Sequence, residues 1–354
     1  MIHYPVLLPL AWLYRGLVQL RNHGYDKGIF AVRRLPARVL SVGNLTVGGT
    51  GKTPLTIFLA NALQQEGRRV AIVARGYGRS RRGTCIVSDG RHLLADLHAS
   101  GDEPQVLAAA CPATPVIVDA SKTHAAAVAV VRFQPEVVVL DDGFQHRRLH
   151  RDLDIVLAPA DFLRDPAWLL PAGPWREPRH NLRRAHLLLL TGLKALSVTE
   201  QEAVQARCRD HFGVKTFALE FQPRHLRPLT GNEDLPLSAV SGCRAVLVSG
   251  IANPARFVAM VRGLGIEPVE VSCFPDHYNY RASDAHALAE RLLQSRSDFL
   301  ITTGKDAVKL RHFDCLHRLP AYALEIQALP SPDFLPAVRQ ALGFHALTAR
   351  AHES

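Results

Sequence analysis

"SVGNLTVGGTGKTP", residues 41–54, is the stretch on which the reading of this chain turns. It begins inside a β-branched run, "ARVLSV" (37–42), and leads into "GKTPLTIFLANALQQEG" with apolar residues at helical spacing. That is the strand–loop–helix context of a phosphate-binding loop. Gly48, Gly49 and Gly51 let backbone N–H groups turn inward, Lys52 can reach the outer phosphates, and the Thr53 hydroxyl can hold Mg²⁺. The expected nucleotide cradle is Thr46, Val47, Gly48, Gly49, Thr50, Gly51, Lys52 and Thr53. Thr46 stands where the strict G-x-x-x-x-G-K-[ST] spacing has glycine. That first glycine serves the turn and not the phosphate contact, so its absence alters the pattern more than the chemistry.

Outward from the loop, short apolar runs alternate with helical stretches: "RVAIVA" (69–74), "TPVIVD" (114–119), "EVVVLD" (136–141), "LDIVLA" (153–158) and "HLLLLT" (186–191). Runs of this kind read as buried parallel strands with helices on both faces. The pattern resumes at "RAVLVSG" (244–250), "EPVEVS" (267–272), "DFLITT" (298–303) and "AYALEI" (321–326), with helical segments at 253–263 and 282–295. The expected fold is α/β: a P-loop NTPase-like, mostly parallel sheet domain at 31–192 and a smaller Rossmann-like α/β domain at 244–345. Residues 193–243, with a helical "SVTEQEAVQARCRDHF" and then an irregular "QPRHLRPLTGNEDLPL", read as the connector.

Residues 1–30 form the fourth expected segment. "MIHYPVLLPLAWLY" is too short an apolar run to span a bilayer, which needs roughly 20 residues. It also lacks the basic start and cleavage site of a signal peptide. Leu10, Leu13, Leu17 and Leu20 recur at helical spacing with Trp12 and Tyr14 among them and Arg15, Arg21 and Lys27 following. Two readings are open, an amphipathic helix in a membrane interface or a helix packed on the core.

The composition, 47% hydrophobic and 21% charged, excludes a disordered chain. A formal charge of +10 favours anionic partners without choosing among nucleic acid, phospholipid and phosphorylated substrate. The six cysteines form no C-x-x-C pair, which argues against a zinc ribbon or a redox motif and for a reducing compartment.

Acidic residues supply the rest of a nucleotide site. In "EVVVLDDGFQHRRL", Asp141 and Asp142 stand where an apolar strand leaves the sheet, the position of a Walker B metal ligand. Asp102 in "HASGDEPQVLAAA" admits two readings, a helix N-cap or a general base. "SCFPDHYNY" sets His277 beside Asp276, Tyr278 and Tyr280 after a strand, where α/β sheets bind ligands. Arginines in "ARGYGRSRRG" (74–83), "HRRLHRD" and "LPAGPWREPRHNLRRA" (170–185) suggest an electropositive rim for an anionic acceptor. On residues alone the chain is a P-loop kinase of some anionic acceptor or a membrane-associated ATPase switch. A nucleic-acid partner is not expected, because no platform of alternating aromatic and basic residues is present.

Taken in order, "GNLTVGGTGKTP", "ARGYGR", "GDEP", "DDGFQHRRLHRDLDI", "LPAGPWREP", "SGIANPARF" and "FPDHYNY" closely resemble the tetraacyldisaccharide 4'-kinases of lipid A biosynthesis, from about residue 40 to 310. The resemblance implies transfer of the γ-phosphoryl group of ATP, with Mg²⁺, to the 4'-hydroxyl of a lipid disaccharide 1-phosphate. It implies a peripheral protein on the cytoplasmic face of a Gram-negative inner membrane, taken as a monomer. By the resemblance, Asp102 and His277 are catalytic with Lys52; Thr53, Asp141 and Asp142 hold the metal; and Arg75, Tyr77, Arg79, Gln145, Arg176 and Glu177 meet the acceptor. Thr46 matches the family's own form of the loop. One departure is "TTGKDAVKL", in which Gly304 stands where the family usually reads T-E-K-D.

Overall fold

The computed structural model describes residues 4–231 and 233–344. Residues 1–3 of the expected N-terminal segment, residue 232 of the expected connector and residue 345 of the last expected segment lie outside the described residues. The strands are β1 (Arg38–Asn44), β2 (Val70–Ala74), β3 (Cys85–Asp89), β4 (Pro115–Val118), β5 (Val137–Asp141), β6 (Leu153–Pro159), β7 (Leu187–Thr191), β8 (Lys215–Pro228), β9 (Arg244–Ser249), β10 (Glu267–Cys273), β11 (Phe299–Thr303) and β12 (Ala321–Pro330). The α-helices are α1 (Leu8–Asp26), α2 (Lys52–Gln65), α3 (Leu97–Ser100), α4 (Asp102–Ala110), α5 (Lys122–Phe133), α6 (Val198–Phe212), α7 (Pro254–Arg262), α8 (Ala282–Gln294), α9 (Gly304–Leu310) and α10 (Phe334–Ala341).

The apolar runs become central strands because both of their faces are covered. In β5, Val137 and Val139 pack with Leu55, Leu59 and Leu63 of α2. The alternate residues Val138 and Leu140 pack on the opposite face with Ala125, Ala126 and Ala129 of α5. A side-chain period of two thus divides one strand between two helical layers.

All twelve strands join one sheet in the order β10-β9-β11-β12-β8-β7-β6-β1-β5-β2-β4-β3. From β4 to β8 neighbours are parallel, β3 is an antiparallel edge, and β9–β12 form a second parallel array. The arrays meet at the antiparallel pair of β8 and β12. Lys215–Leu219 of β8 pairs with β7, whereas Leu226–Pro228 faces the part of β12 that pairs with β11. The second array is therefore displaced along β8 beyond the carboxyl edge of the first and runs the opposite way. The carboxyl edges of the two arrays face each other.

Two differences from the sequence expectation follow. Residues 222–228, read as irregular connector, belong to β8. Pro223 is tolerated there because the β8–β12 register shifts beside it, between its partner Ile326 and Glu325, so the strand is bulged where a proline interrupts the ladder. In addition, Phe334, Val338 and Leu342, assigned by sequence to the smaller domain, pack in the core of the first array with Leu55, Leu59 and Phe217. The chain crosses back to the half that it left.

α1 divides its faces. Ala11, Val18 and Asn22 are buried, while Leu10, Trp12, Leu13, Leu17 and Leu20 are 54–69% exposed. Among the described residues, no helix is long and apolar enough to cross a membrane.

Candidate active site

The phosphate loop lies between the end of β1 and the start of α2. Gly51 caps α2 with φ 88°, and a Cβ there would overlap the ring of Phe221 from β8, so both backbone conformation and space require glycine. Thr46 bridges to Trp175, and the Val47 N–H donates to the carbonyl of Pro174 (2.8 Å), so the segment around Trp175 braces the start of the loop. This bracing gives Thr46 a place in the loop without the missing glycine. Lys52 Nζ donates to Asn44 Oδ1 (3.3 Å) and lies 3.6 Å from Asp142 Oδ1. Thr50 accepts a bond from Asn44 Nδ2 at 2.9 Å. Thr53 stands in the first turn of α2.

Asp141 ends β5 and Asp142 follows it in the turn. Asp141 is buried and accepts from the Thr56 hydroxyl at 3.1 Å. Asp142 turns out with φ 53° and meets Arg176, whose NH1 lies 3.0 and 2.8 Å from its two oxygens. Burial works to raise the Asp142 carboxyl, but Lys52, Lys122 and Arg176 outweigh it and hold it at about 2. Asp141 is shifted upward, first by burial and then by the nearby Glu103 carboxylate. Two carboxylates and a threonine hydroxyl are hard oxygen donors, and the crowding of acids at Asp141 suits a small divalent cation. Among the described residues no cluster of three or more His, Cys, Asp or Glu side chains is gathered as an all-protein metal site. A cation here would rest on Thr53, Asp141 and Asp142 together with the nucleotide's phosphates.

The sequence reading missed Lys122. Its Nζ donates at 2.5 Å to the carbonyls of both Asp141 and Asp142, so one buried ammonium fixes the turn that presents the acidic pair. Burial lowers its pKa from the usual lysine range. Nothing in "SKTHAAAVAV" distinguishes it from an exposed lysine at a helix start.

Asp102 is not the N-cap of α4. That position is Gly101 (φ 89°), and Asp102 is the first helical residue, with one oxygen accepting from the Glu103 N–H at 2.8 Å. Its other oxygen lies 2.9 Å from His277 Nδ1 and 2.9 Å from Lys309 Nζ. Burial opposes ionisation, yet the His277 hydrogen bond and the Lys309 charge hold the Asp102 carboxyl well below the usual carboxylate range. The same bond raises His277 against the effect of its own partial burial. Asp102 comes from the first array and His277 from the loop after β10, so the pair forms where the two carboxyl edges face each other.

The remaining residues sort by position. The Tyr77 ring is 5.1 Å from that of His277 and is 65% exposed; Arg75 is exposed beside it. Arg79 is turned into its own loop, bonding the carbonyl of Gly83 at 2.7 Å. Gln145 donates to the Asn44 carbonyl at 2.9 Å, and Arg176 is held on Asp142. Glu177 departs from the acceptor role: it is 1% exposed, enclosed by Asn22 (3.1 Å), Asn181 (2.6 Å) and Arg184 (2.6 Å). Its carboxylate ties α1 to the segment carrying Arg176. Gly304 leaves the start of α9 intact, because Thr303 caps it by accepting from the Asp306 N–H at 3.2 Å.

The family model described as tetraacyldisaccharide-1-P 4'-kinase matches residues 3–343. The chain belongs to this family. Among its relatives, the tetraacyldisaccharide 4'-kinase of Geobacter sulfurreducens is 39% identical over 327 residues, 92% of this chain and 89% of that one. The enzyme of the same name from Syntrophus aciditrophicus is 38% identical, over 90% of this chain and 87% of its own. The crystal structure of LpxK from Aquifex aeolicus in complex with ATP superposes with a TM-score of 0.77 at 32% identity, covering 95% of this chain and 98% of that one. In this 4'-kinase family member, the α/β fold and the N-terminal helix agree with the expectation from sequence.

Proposed function

We propose that this chain transfers the γ-phosphoryl group of ATP to the 4'-hydroxyl of a tetraacylated glucosamine disaccharide 1-phosphate, giving the 4'-phosphorylated lipid of lipid A biosynthesis. The observation that carries this reading is the 2.9 Å contact of Asp102 with His277 beyond the phosphate loop. A nucleotide switch has no use for such a pair, whereas an acceptor hydroxyl needs its proton removed.

In this reading the loop from Thr46 to Thr53 binds the triphosphate and Lys52 neutralises its outer charge. Asp102, oriented by His277, takes the proton of the attacking hydroxyl. Mg²⁺ held by Thr53, Asp141 and Asp142 would supply charge neutralisation between the phosphates. Arg75, Tyr77, Gln145 and Arg176 face the acceptor side, where a 1-phosphate needs cations. Phosphoryl transfer asks for positioning and electrostatics more than covalent chemistry, and this residue set provides both. The exposed leucines and Trp12 of α1 would rest in the cytoplasmic leaflet of the inner membrane, bringing the site to acyl chains that never leave the bilayer. Incubation with γ-labelled ATP and the lipid disaccharide 1-phosphate in mixed micelles should label the lipid. ATP hydrolysis at the same rate without lipid, and no labelled lipid, would reject the reading in favour of an ATPase.

A further inference from the structure

The mechanism above uses Asp102 and His277 and leaves two lysines of α9 unexplained. Lys305 and Lys309 lie one helical turn apart, so their side chains leave the same face of α9. Each meets an acid of α4. Lys305 Nζ is 2.8 Å from Glu103 Oε1, and Lys309 Nζ is 2.9 Å from Asp102 Oδ2. The second pair is buried, Lys309 being 7% and Asp102 5% exposed. An ammonium out of water without a role in presenting a ligand is a costly way to join two helices. Here it shares one carboxylate oxygen with the imidazole that the reaction needs.

We infer that Lys309 is a positioning residue for phosphoryl transfer: its ammonium fixes the Asp102 carboxylate in the orientation that holds His277. The Lys305–Glu103 bridge sets the depth at which α9 docks on α4. The inference rests on the roles proposed above for Asp102 and His277. It adds that the distal array contributes two groups to the site, His277 from the loop after β10 and Lys309 from α9. The two approach one oxygen from different elements, so the pair cannot rotate about either contact alone. The charged and titratable groups facing Asp102 are then Lys309 and Lys305 of α9, Glu103 of α4, and His277 with its neighbour Asp276, which lies 3.9 Å from the far side of the imidazole.

The test uses the full chain with Lys309→Met, which keeps the length and removes the charge. Two readouts are taken: steady-state kinetics with ATP and the lipid disaccharide 1-phosphate, and the His277 imidazole titration by NMR on histidine-labelled protein. The expected result is a kcat lower by roughly ten- to hundredfold, short of the loss from removing a base itself, with KM for ATP unchanged. The acid limb of the rate profile moves to higher pH, because Asp102 loses the cation that keeps it ionised. His277 titrates at higher pH than in the parent, because it no longer shares Asp102 with a second cation. Parental kcat together with parental His277 titration overturns the inference. So does an activity loss that only tracks the folded fraction while His277 titrates as in the parent. Lys309→Gln, which keeps a donor without the charge, carries the same two readouts should the methionine variant not fold. The His277 titration reads the positioning whether or not Asp102 is the base. Near-parental turnover of Asp102→Asn would reject the base assignment and leave that result standing.

Discussion

At the scale of single residues, the proposed reaction turns on how one buried carboxylate is held. Asp102 spends one oxygen on its own helix start and the other on His277 and Lys309. Asp102→Asn should lower kcat by about 10²–10⁴, the usual contribution of a general base, with little change in KM for ATP. The same pair links stability to pH in two directions. Asp102 has a folded pKa below its unfolded one, so its contribution is complete above about pH 4 and lost as pH falls toward the folded value. His277 has a folded pKa above its unfolded one, so its contribution is present below about pH 6.5 and lost as pH rises through the folded value. Urea unfolding between pH 5 and pH 9 should show stability declining on the alkaline side in the parent and a flatter profile in Asp102→Asn. An unchanged slope would mean that the histidine makes no bond to the carboxylate in solution. The motifs in the sequence named both members of this pair. They could not name Lys122 or Lys309, because a lone lysine in a helix carries no mark of the carbonyls or carboxylate it meets.

At the scale of elements, the phosphate loop is legible from local chemistry alone, since glycine conformations and an adjacent lysine are properties of a few consecutive residues. α1 was half legible. Its spacing predicted a helix that either lies in a membrane interface or packs on the core; in the structure one side, with Ala11, Val18 and Asn22, is buried and the leucine-rich side is exposed. The inner face is fastened by polar contacts: the Tyr14 hydroxyl donates to the Arg176 carbonyl at 2.9 Å, and Arg147 reaches the Asn22 carbonyl at 3.0 Å and Asp26 at 2.6 Å. The outer face is apolar and open. Leu13→Glu with Leu17→Glu should weaken binding to anionic vesicles at least about tenfold, because burying a leucine in an apolar phase is worth about 1.5–3 kcal/mol. Thermal stability should be unchanged, since these side chains are 63% and 59% exposed. Vesicle co-sedimentation and a melting curve separate the two effects; equal binding by variant and parent would remove the membrane role from this face.

At the scale of the whole molecule, the decisive feature is the reversal at β8 and β12. It turns the carboxyl edge of one parallel array toward that of the other, and α10 then returns to pack against α2. The arrays are thereby tied through the sheet and through a helix that one half lends to the other, in addition to the contacts of α4 with α9 and His277. Phe334, fully buried beside Phe217, should cost about 3–5 kcal/mol when changed to alanine. Chemical unfolding of that variant should remain a single transition at lower urea; a separate early transition of the second array would show that the two halves are not coupled through α10. By itself the sequence determined the α/β class, the phosphate loop and the acidic strand end, because each rests on short-range periodicity or motif spacing; it marked Asp102 and His277 as candidates, and only the family resemblance implied that they act together. Only the tertiary structure decided that Glu177, expected to meet the acceptor, is buried as an internal tie, that residues 222–228 extend a strand, and that two lysines of α9 close on α4. Those facts depend on which strand pairs with which and in what direction. Pairing across a hundred residues is set by the packing of both faces of the sheet, which no local run of residues encodes.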